Sequence, residues 1–287
     1  MHSPDPFSKE ILKTLRNHIW QHIFRSSAVL MYIFTLGYLV WCLIVLAKFG
    51  PNPWLFLFPF IVVLFIYYYS VERAHRVLLK EFAALNTFKY ERVSDPRLLE
   101  GTVFKQGHSH RMHQVVKGTF VHHPFTLFTF EYATGSGNQA REYASTILEL
   151  DLEKQLPHIV MVSKYHKQRS TLAMVMPIVH AGSDGFPMHI DGTTALSVEG
   201  TFYKYFDLHI TSGHELETLE IFTPDLMEDL INHASKYSME MVDDKIYIVY
   251  GDIITDIREL QAMYDVAQKL SERMAFFLQK KQEVWVQ

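Results

Sequence analysis

Residues 126–152 read TLFTFEYATGSGNQAREYASTILELDL, and this stretch decides the fold class. Leu127, Thr129 and Glu131 alternate with Phe128, Phe130 and Tyr132. Leu148, Leu150 and Leu152 then alternate with Ile147, Glu149 and Asp151. Side chains on a strand point to opposite faces in turn, so a period of two marks two strands. The Gly/Ser/Asn-rich stretch between them supplies a reversal, and together they predict an antiparallel β-hairpin.

Outward from the hairpin, Gly101–Gln106 and Gln114–Val121 predict strands upstream. His158–Ser163 and Leu172–Val179 predict strands downstream. Residues 180–194, HAGSDGFPMHIDGTT, read as a loop from their Gly, Asp and Pro content. Phe206–Ile210 reads as a short strand, and His214–Leu219 as a helical turn or the lead into the next element. Thr223 at an N-cap, Pro224 at the first helical position and acids in the first turn agree on one helix start. Met239–Val242, a turn at Asp243, Asp244 and Lys245, and Ile246–Tyr250 predict a second hairpin. A final helix from about Thr255 to Gln282 carries Ile257, Leu260, Tyr264, Ala267, Met274 and Leu278 at spacings that follow a helical stripe, broken at Ser271. That stripe suits a helix docked on the protein itself, or a coiled-coil seam between two copies. Residues 90–287 thus predict an α+β domain of mostly antiparallel strands with a few helices, including a long C-terminal one.

The N-terminal third has a different character. Residues 26–71 contain one charge, Lys48. Ser26 to Ala47 is an uncharged run, and at about 1.5 Å per residue it reaches roughly 33 Å, enough for a bilayer core of about 30 Å. Phe49 to Val71 is a second, interrupted by Pro51, Pro53 and Pro59. The expectation is a transmembrane helical hairpin with spans of about 26–47 and 52–71 and a short outside loop. Lys9, Lys13, Arg16 and Arg25 precede it, and Arg73, Arg76, Lys80, Lys89 and Arg92 follow it. By the positive-inside rule both termini are expected to be cytoplasmic, in a multi-pass plasma (inner) membrane protein. Residues 1–25 are expected to hold an amphipathic helix with Ser8 as its N-cap and Phe7, Ile11, Leu12, Leu15, Ile19 and Ile23 as its stripe. It would rest on lipid headgroups or pack on the protein's own domain. Residues 72–89 are expected to form a helical neck.

Charge sharpens the division. The chain of 287 residues is 48% hydrophobic and 20% charged, with a formal charge of −4. Residues 1–90 hold nine Lys/Arg against four Asp/Glu, and residues 91–287 hold eighteen against twenty-seven. The second part, at −9, argues against nucleic-acid binding, which needs a basic face. Composition also excludes disorder, collagen and a disulfide scaffold. The single cysteine, Cys42, allows no intrachain disulfide or CxxC zinc site.

Two longer strings carry a resemblance. FEYATGSGNQAREYASTILELDLEKQLPHIVMV (130–162) and EGTFYKYFDLHI (199–210), followed by LEIFTPDLMEDLINHASKYSMEMVDDKIYIVYG (219–251), resemble an uncharacterised family of bacterial membrane proteins. That resemblance implies a two-span N-terminal hairpin and a cytoplasmic α+β domain of unknown function. It implies no catalytic residue.

Sixteen histidines are the most distinctive chemistry, and His108, His110 and His113 fall within six residues, with His122 and His123 close behind. Neutral imidazoles at ~2.0–2.1 Å suit Zn²⁺ or another transition metal, so these five are the candidate metal ligands. Polar loop histidines are the plainer explanation. Gly135-Ser136-Gly137-Asn138-Gln139-Ala140 matches a dinucleotide fingerprint in letters, but a strand follows it where a helix is required; a hairpin turn accounts for it. Asp184, His189 and Asp191 share one loop without a marked nucleophile. Tyr203, Tyr205 and Phe206 suit core packing better than a ligand cage. No P-loop, HExxH or EF-hand occurs.

With no convergent catalytic set and no required cofactor, the leading expectation is a membrane-anchored, non-enzymatic binding, scaffold or regulatory domain. Its expected partners are the lipid bilayer and a protein partner, or a second copy through the C-terminal helix. The rival is a metal-dependent hydrolase or metal-binding protein built on His108–His123.

Overall fold

The computed structural model describes residues 6–9, 11–15, scattered positions in 33–48, and 72–120, 123–137, 140–165, 192–198 and 200–285. The chain forms two compact units, Pro4–Asn86 and essentially Thr87–Gln287.

The larger unit is built on a seven-stranded sheet of order β1-β2-β3-β4-β6-β5, with β7 also on β4. The strands are β1 (Lys89–Ser94), β2 (His108–Phe120), β3 (His123–Thr134), β4 (Arg141–Ser163), β5 (Thr193–Ala195), β6 (Phe206–Thr211) and β7 (Tyr237–Tyr250). Every pairing is antiparallel. β4, with 23 residues, organises the rest. Ile147 pairs with Phe128 of β3 and Val249 of β7, and Ile159 pairs with Ile210 of β6 and Met241 of β7. β7 therefore takes one edge of β4, while β3 and β6 share the other in succession.

The expected hairpin of 126–152 is present. Phe125 pairs with Leu150 and Thr134 with Arg141 across a turn where Gly135 and Gly137 have φ of 75° and 59°. Successive residues Ile147 and Leu148 are both fully buried, so this sheet is covered on both faces. On one face Phe128, Phe130, Val160, Val162, Tyr247 and Val249 gather around Val103 and Phe104. On the other, Tyr264 meets Phe125 edge-on at 5.4 Å. Tyr264 belongs to the C-terminal helix α3 (Ile257–Trp285), which follows α1 (Glu215–Ile221) and α2 (Pro224–Ala234). The stripe Leu260, Tyr264, Ala267, Leu270 and Met274 is buried, and so is Ser271, which interrupts the apolar pattern without leaving the packed face.

Several expectations need correction. Gly101–Gln106 is not a strand. It holds a 3-10 turn at Val103–Lys105, because Gly101 at φ 120° turns the chain before extended structure can form. Met239–Tyr250 is not a hairpin but part of one continuous strand. Asp243, at φ 53°, makes an irregularity rather than a reversal, and β4 pairs alongside on either side of it. Ala144–Leu152 and His158–Ser163 are likewise one strand, and Pro157, with no N–H to give, sits at its register shift. Leu172–Val179 and most of the 180–194 loop lie outside the described residues.

The smaller unit contains a short helical stretch at 11–15 and a helix at 72–85. Ser8 Oγ accepts the Ile11 N–H at 3.4 Å as an N-cap. Phe7 stacks on Phe82 with ring centres 5.2 Å apart, and Leu15, Leu78 and Leu79 are fully buried. Asn86 Nδ2 donates to the Phe82 and Pro6 carbonyls. Among the described residues no helix is long and apolar enough to cross a membrane. This corrects the expected N-terminal transmembrane hairpin and the multi-pass inner-membrane placement with both termini cytoplasmic. The long helices that are described are amphipathic. The 72–85 helix carries Glu72, Arg73, Arg76, Lys80 and Glu81, and α3 is charged along its length. An uncharged run is a statement about composition, whereas a span needs one unbroken apolar helix. Most of 26–47 and all of 52–71 lie outside the described residues.

Candidate functional site

The connection from β1 to β2, residues 95–107, folds into two tight turns and forms one wall of a cleft. Asp95 opens the first turn, Pro96–Leu98, its Oδ1 accepting the Arg97 N–H at 3.0 Å and Arg97 Nε at 3.2 Å. The Arg97 backbone N–H first, then its side chain, hold the Asp95 carboxyl below the usual carboxylate range. Phe104, in the second turn, anchors the segment. Its ring meets Phe130 edge-on at 5.0 Å and Tyr247 at 4.9 Å. Lys105 follows on the surface.

Between these turns and the start of β2 lies a cleft of about 470 Å³ lined by Asp95, Pro96, Arg97, Leu99, Phe104, Lys105 and His110. Its floor is apolar (Pro96, Leu99, Phe104) and its rim cationic. Among the described contacts only Nε of the Arg97 guanidinium is engaged by Asp95. His110 Nε2 lies 2.6 Å from the Gln106 carbonyl, and its ring leans on Phe130 at 5.6 Å. The volume falls within the range of small-molecule sites.

A buried carboxylate stands behind the cleft. Glu240, in β7, has no solvent exposure. Its two oxygens accept the Thr102 N–H at 2.7 and 2.9 Å, Oε2 accepts the Val103 N–H at 3.2 Å, and Oε1 accepts His158 Nε2 at 2.9 Å. Burial pushes this carboxyl up. The His158 hydrogen bond and then the Thr102 and Val103 donors outweigh it, so it is held below its ordinary range. The Thr102 hydroxyl stands 3.5 Å from His158 Nε2, the nitrogen already committed to Glu240. An acyl-transfer triad needs the hydroxyl at the opposite nitrogen, so this trio is structural in form.

A second pair, half-buried Glu149 and buried Tyr247, lies nearby. Glu149 is directly across the β4–β7 ladder from Tyr247. Burial raises the Glu149 carboxyl above its ordinary range, and burial followed by Glu149 raises the Tyr247 phenol.

Among the described residues, the candidate metal ligands are not brought together. His108 and His110 lie at the start of β2, where Ser109 at φ 59° and a register shift between His108 and Arg111 break the strand's alternation. His108 Nε2 lies 2.8 Å from the Gly135 carbonyl. His110 leans on Phe130, whereas His113 Nε2 is 2.9 Å from Glu131 Oε1; adjacent positions on β3 point to opposite faces, so these two imidazoles diverge. His123 begins β3 opposite Phe120, and His122 lies outside the described residues. No group of three or more His, Cys, Asp or Glu among the described residues is arranged to hold a metal.

Asp184, His189 and Asp191 also lie outside the described residues. Phe206 is core, but Tyr203 and Tyr205 are exposed. The residues that sequence reasoning missed are Arg97, Lys105, His158 and Glu240. The one signal for Glu240 was an acid in the middle of the apolar strand SMEMV.

No known family matches the chain, and no curated protein does. One solved structure is similar, the crystal structure of the mycobacterial trehalose monomycolate transport factor A. The likeness has a TM-score of 0.47 at 11% identity and covers 72% of this chain and 95% of that one.

Proposed function

We propose that the larger unit is a non-enzymatic binding module whose cleft takes a small amphipathic anion, a carboxylate, phosphate or sulfonate carried on an apolar body. One observation carries the reading. On a domain with a large acidic excess, Arg97, Lys105 and His110 border a single cleft floored by Pro96, Leu99 and Phe104, and its one carboxylate, Asp95, is already paired. The cationic rim matches the charged head, and the apolar floor matches the body. The geometry around His158 and Thr102 supplies no activated nucleophile, which favours binding over turnover.

The test is a fluorescence titration of the purified full chain with 8-anilinonaphthalene-1-sulfonate, an anion on an aromatic body. Saturable binding to one site is expected. It should weaken at least tenfold in the double variant Arg97→Ala/Lys105→Ala, whose substituted side chains are exposed. Unchanged binding in that variant overturns the proposal.

A further inference from the structure

We infer that Glu240 is the positioning residue of this cleft. Its carboxylate fixes the Gly101–Lys105 turn to the sheet and so sets where Phe104 and Lys105 stand for a ligand. The inference rests on the cleft reading above and adds to it the element that shapes the site.

The Phe104 ring anchors the turn's side chain in the core, and Glu240 ties its backbone to the sheet. Residues 101–105 belong to no strand, and the three hydrogen bonds from Thr102 and Val103 to Glu240 tie them to β7 across more than 130 positions of sequence. The fit is close. Gly101 adopts φ 120°, and a Cβ there would come within 2.9 Å of Glu240 Oε2. Only a carboxylate matches the demand. Each oxygen receives a backbone N–H, and Oε1 also receives His158 Nε2, so all approaching groups are donors. A glutamine has the same shape but turns one acceptor into an NH₂ that would face an N–H. Immediately after the clamp, Phe104 is part of the cleft floor, and Lys105 after it is part of the rim. A clamp at Thr102 and Val103 therefore acts on ligand binding without touching ligand.

His158 is the subordinate partner. It is partly exposed, with 27% of its side chain accessible, while Glu240 has none. A glutamine at 158 keeps an N–H for Glu240, so it should preserve the clamp.

The test combines the anilinonaphthalene sulfonate titration with hydrogen exchange on the full chain. In Glu240→Gln, probe affinity should fall at least fivefold and the Thr102 and Val103 amides should exchange at least tenfold faster. Amides of Phe128 and Phe130 in β3 should keep their protection, which separates a loosened turn from general unfolding. His158→Gln should retain wild-type affinity. Gly101→Ala, which pushes the carboxylate aside from the other direction, should reproduce the Glu240→Gln pattern and serves if that variant fails to fold. Wild-type affinity and exchange in Glu240→Gln overturn the inference, as does an affinity loss with no change at Thr102 and Val103. If the wild type itself binds no probe, the cleft reading fails, and unchanged exchange at Thr102 and Val103 in Glu240→Gln then separately refutes the clamp.

Discussion

Arg273 Nη2 donates to Thr223 Oγ1 at 2.6 Å, joining the middle of α3 to the first residue of the α2 cap. Thr223 occupies the N-cap position but makes no side-chain capping bond to its own helix. A capping hydroxyl is usually turned onto the helix N–H groups. Here it is turned onto a cation from a packed neighbour, so its worth is tertiary. Thr223→Ala and Arg273→Ala should each destabilise the domain by about 1 kcal/mol. In a double-mutant cycle by urea unfolding the two losses should overlap, with a coupling of roughly 0.5–1 kcal/mol. Additive losses would return Thr223 to an ordinary cap.

Two carboxylates on the β4–β7 pair, buried Glu240 and half-buried Glu149, should respond to acid with opposite signs. Glu240 is held below its ordinary range in the folded state, so the unfolded chain binds more protons as pH falls. Its stabilising contribution is full above the ordinary glutamate range and is lost as pH drops through the lowered value. Glu149 is raised, chiefly by burial, so the folded state binds the extra proton and stability falls as pH climbs through that window. Glu149→Gln should therefore melt higher than wild type at pH 7, with the difference shrinking toward acid pH. Glu240→Gln should melt lower at pH 7, with its deficit shrinking toward acid. Melting curves across pH for the two variants should diverge from wild type in opposite directions.

How far these sites were legible follows from the range of the signals. The 126–152 hairpin was readable because its period-two pattern and its Gly turn are neighbours in sequence, and the Thr223-Pro224 helix start was readable for the same local reason. The Asp243 irregularity was not. Asp in the left-handed region serves a reversal and a bulge equally well, and only pairing with β4, some ninety residues away in sequence, decides between them. His110 and His113 diverge because they meet Phe130 and Glu131, neighbours on β3 that face opposite ways, and only the pairing of β2 with β3 decides that. Glu240 was unreadable as a clamp because its partners, Thr102, Val103 and His158, lie far from it in sequence and two of them act through backbone N–H groups, which every residue has. The uncharged runs in 26–71 spoke clearly of hydropathy, and most of those residues lie outside the described ones.

Gly107 closes the connection that forms the cleft, and it should be the least replaceable residue there. Its φ is 64°, and an added Cβ would lie 2.3 Å from the Ala133 carbonyl oxygen and 2.8 Å from the Tyr132 ring. The left-handed conformation alone costs a side chain about 1 kcal/mol or more. The contact with Ala133 is worse, because backbone at the head of the β2–β3 pairing, where His108 opposes Ala133, has no rotamer to escape into. Gly107→Ala should cost at least about 2 kcal/mol, as strained backbone substitutions do. Gly137→Ala is the control, since its φ of 59° carries the same conformational penalty but nothing lies within 4 Å of the added Cβ. Urea unfolding of both variants separates the two effects: Gly137→Ala should lose only the conformational part, and Gly107→Ala should lose distinctly more. Equal losses would mean that Ala133 moves aside freely and that the connection is looser than its geometry indicates.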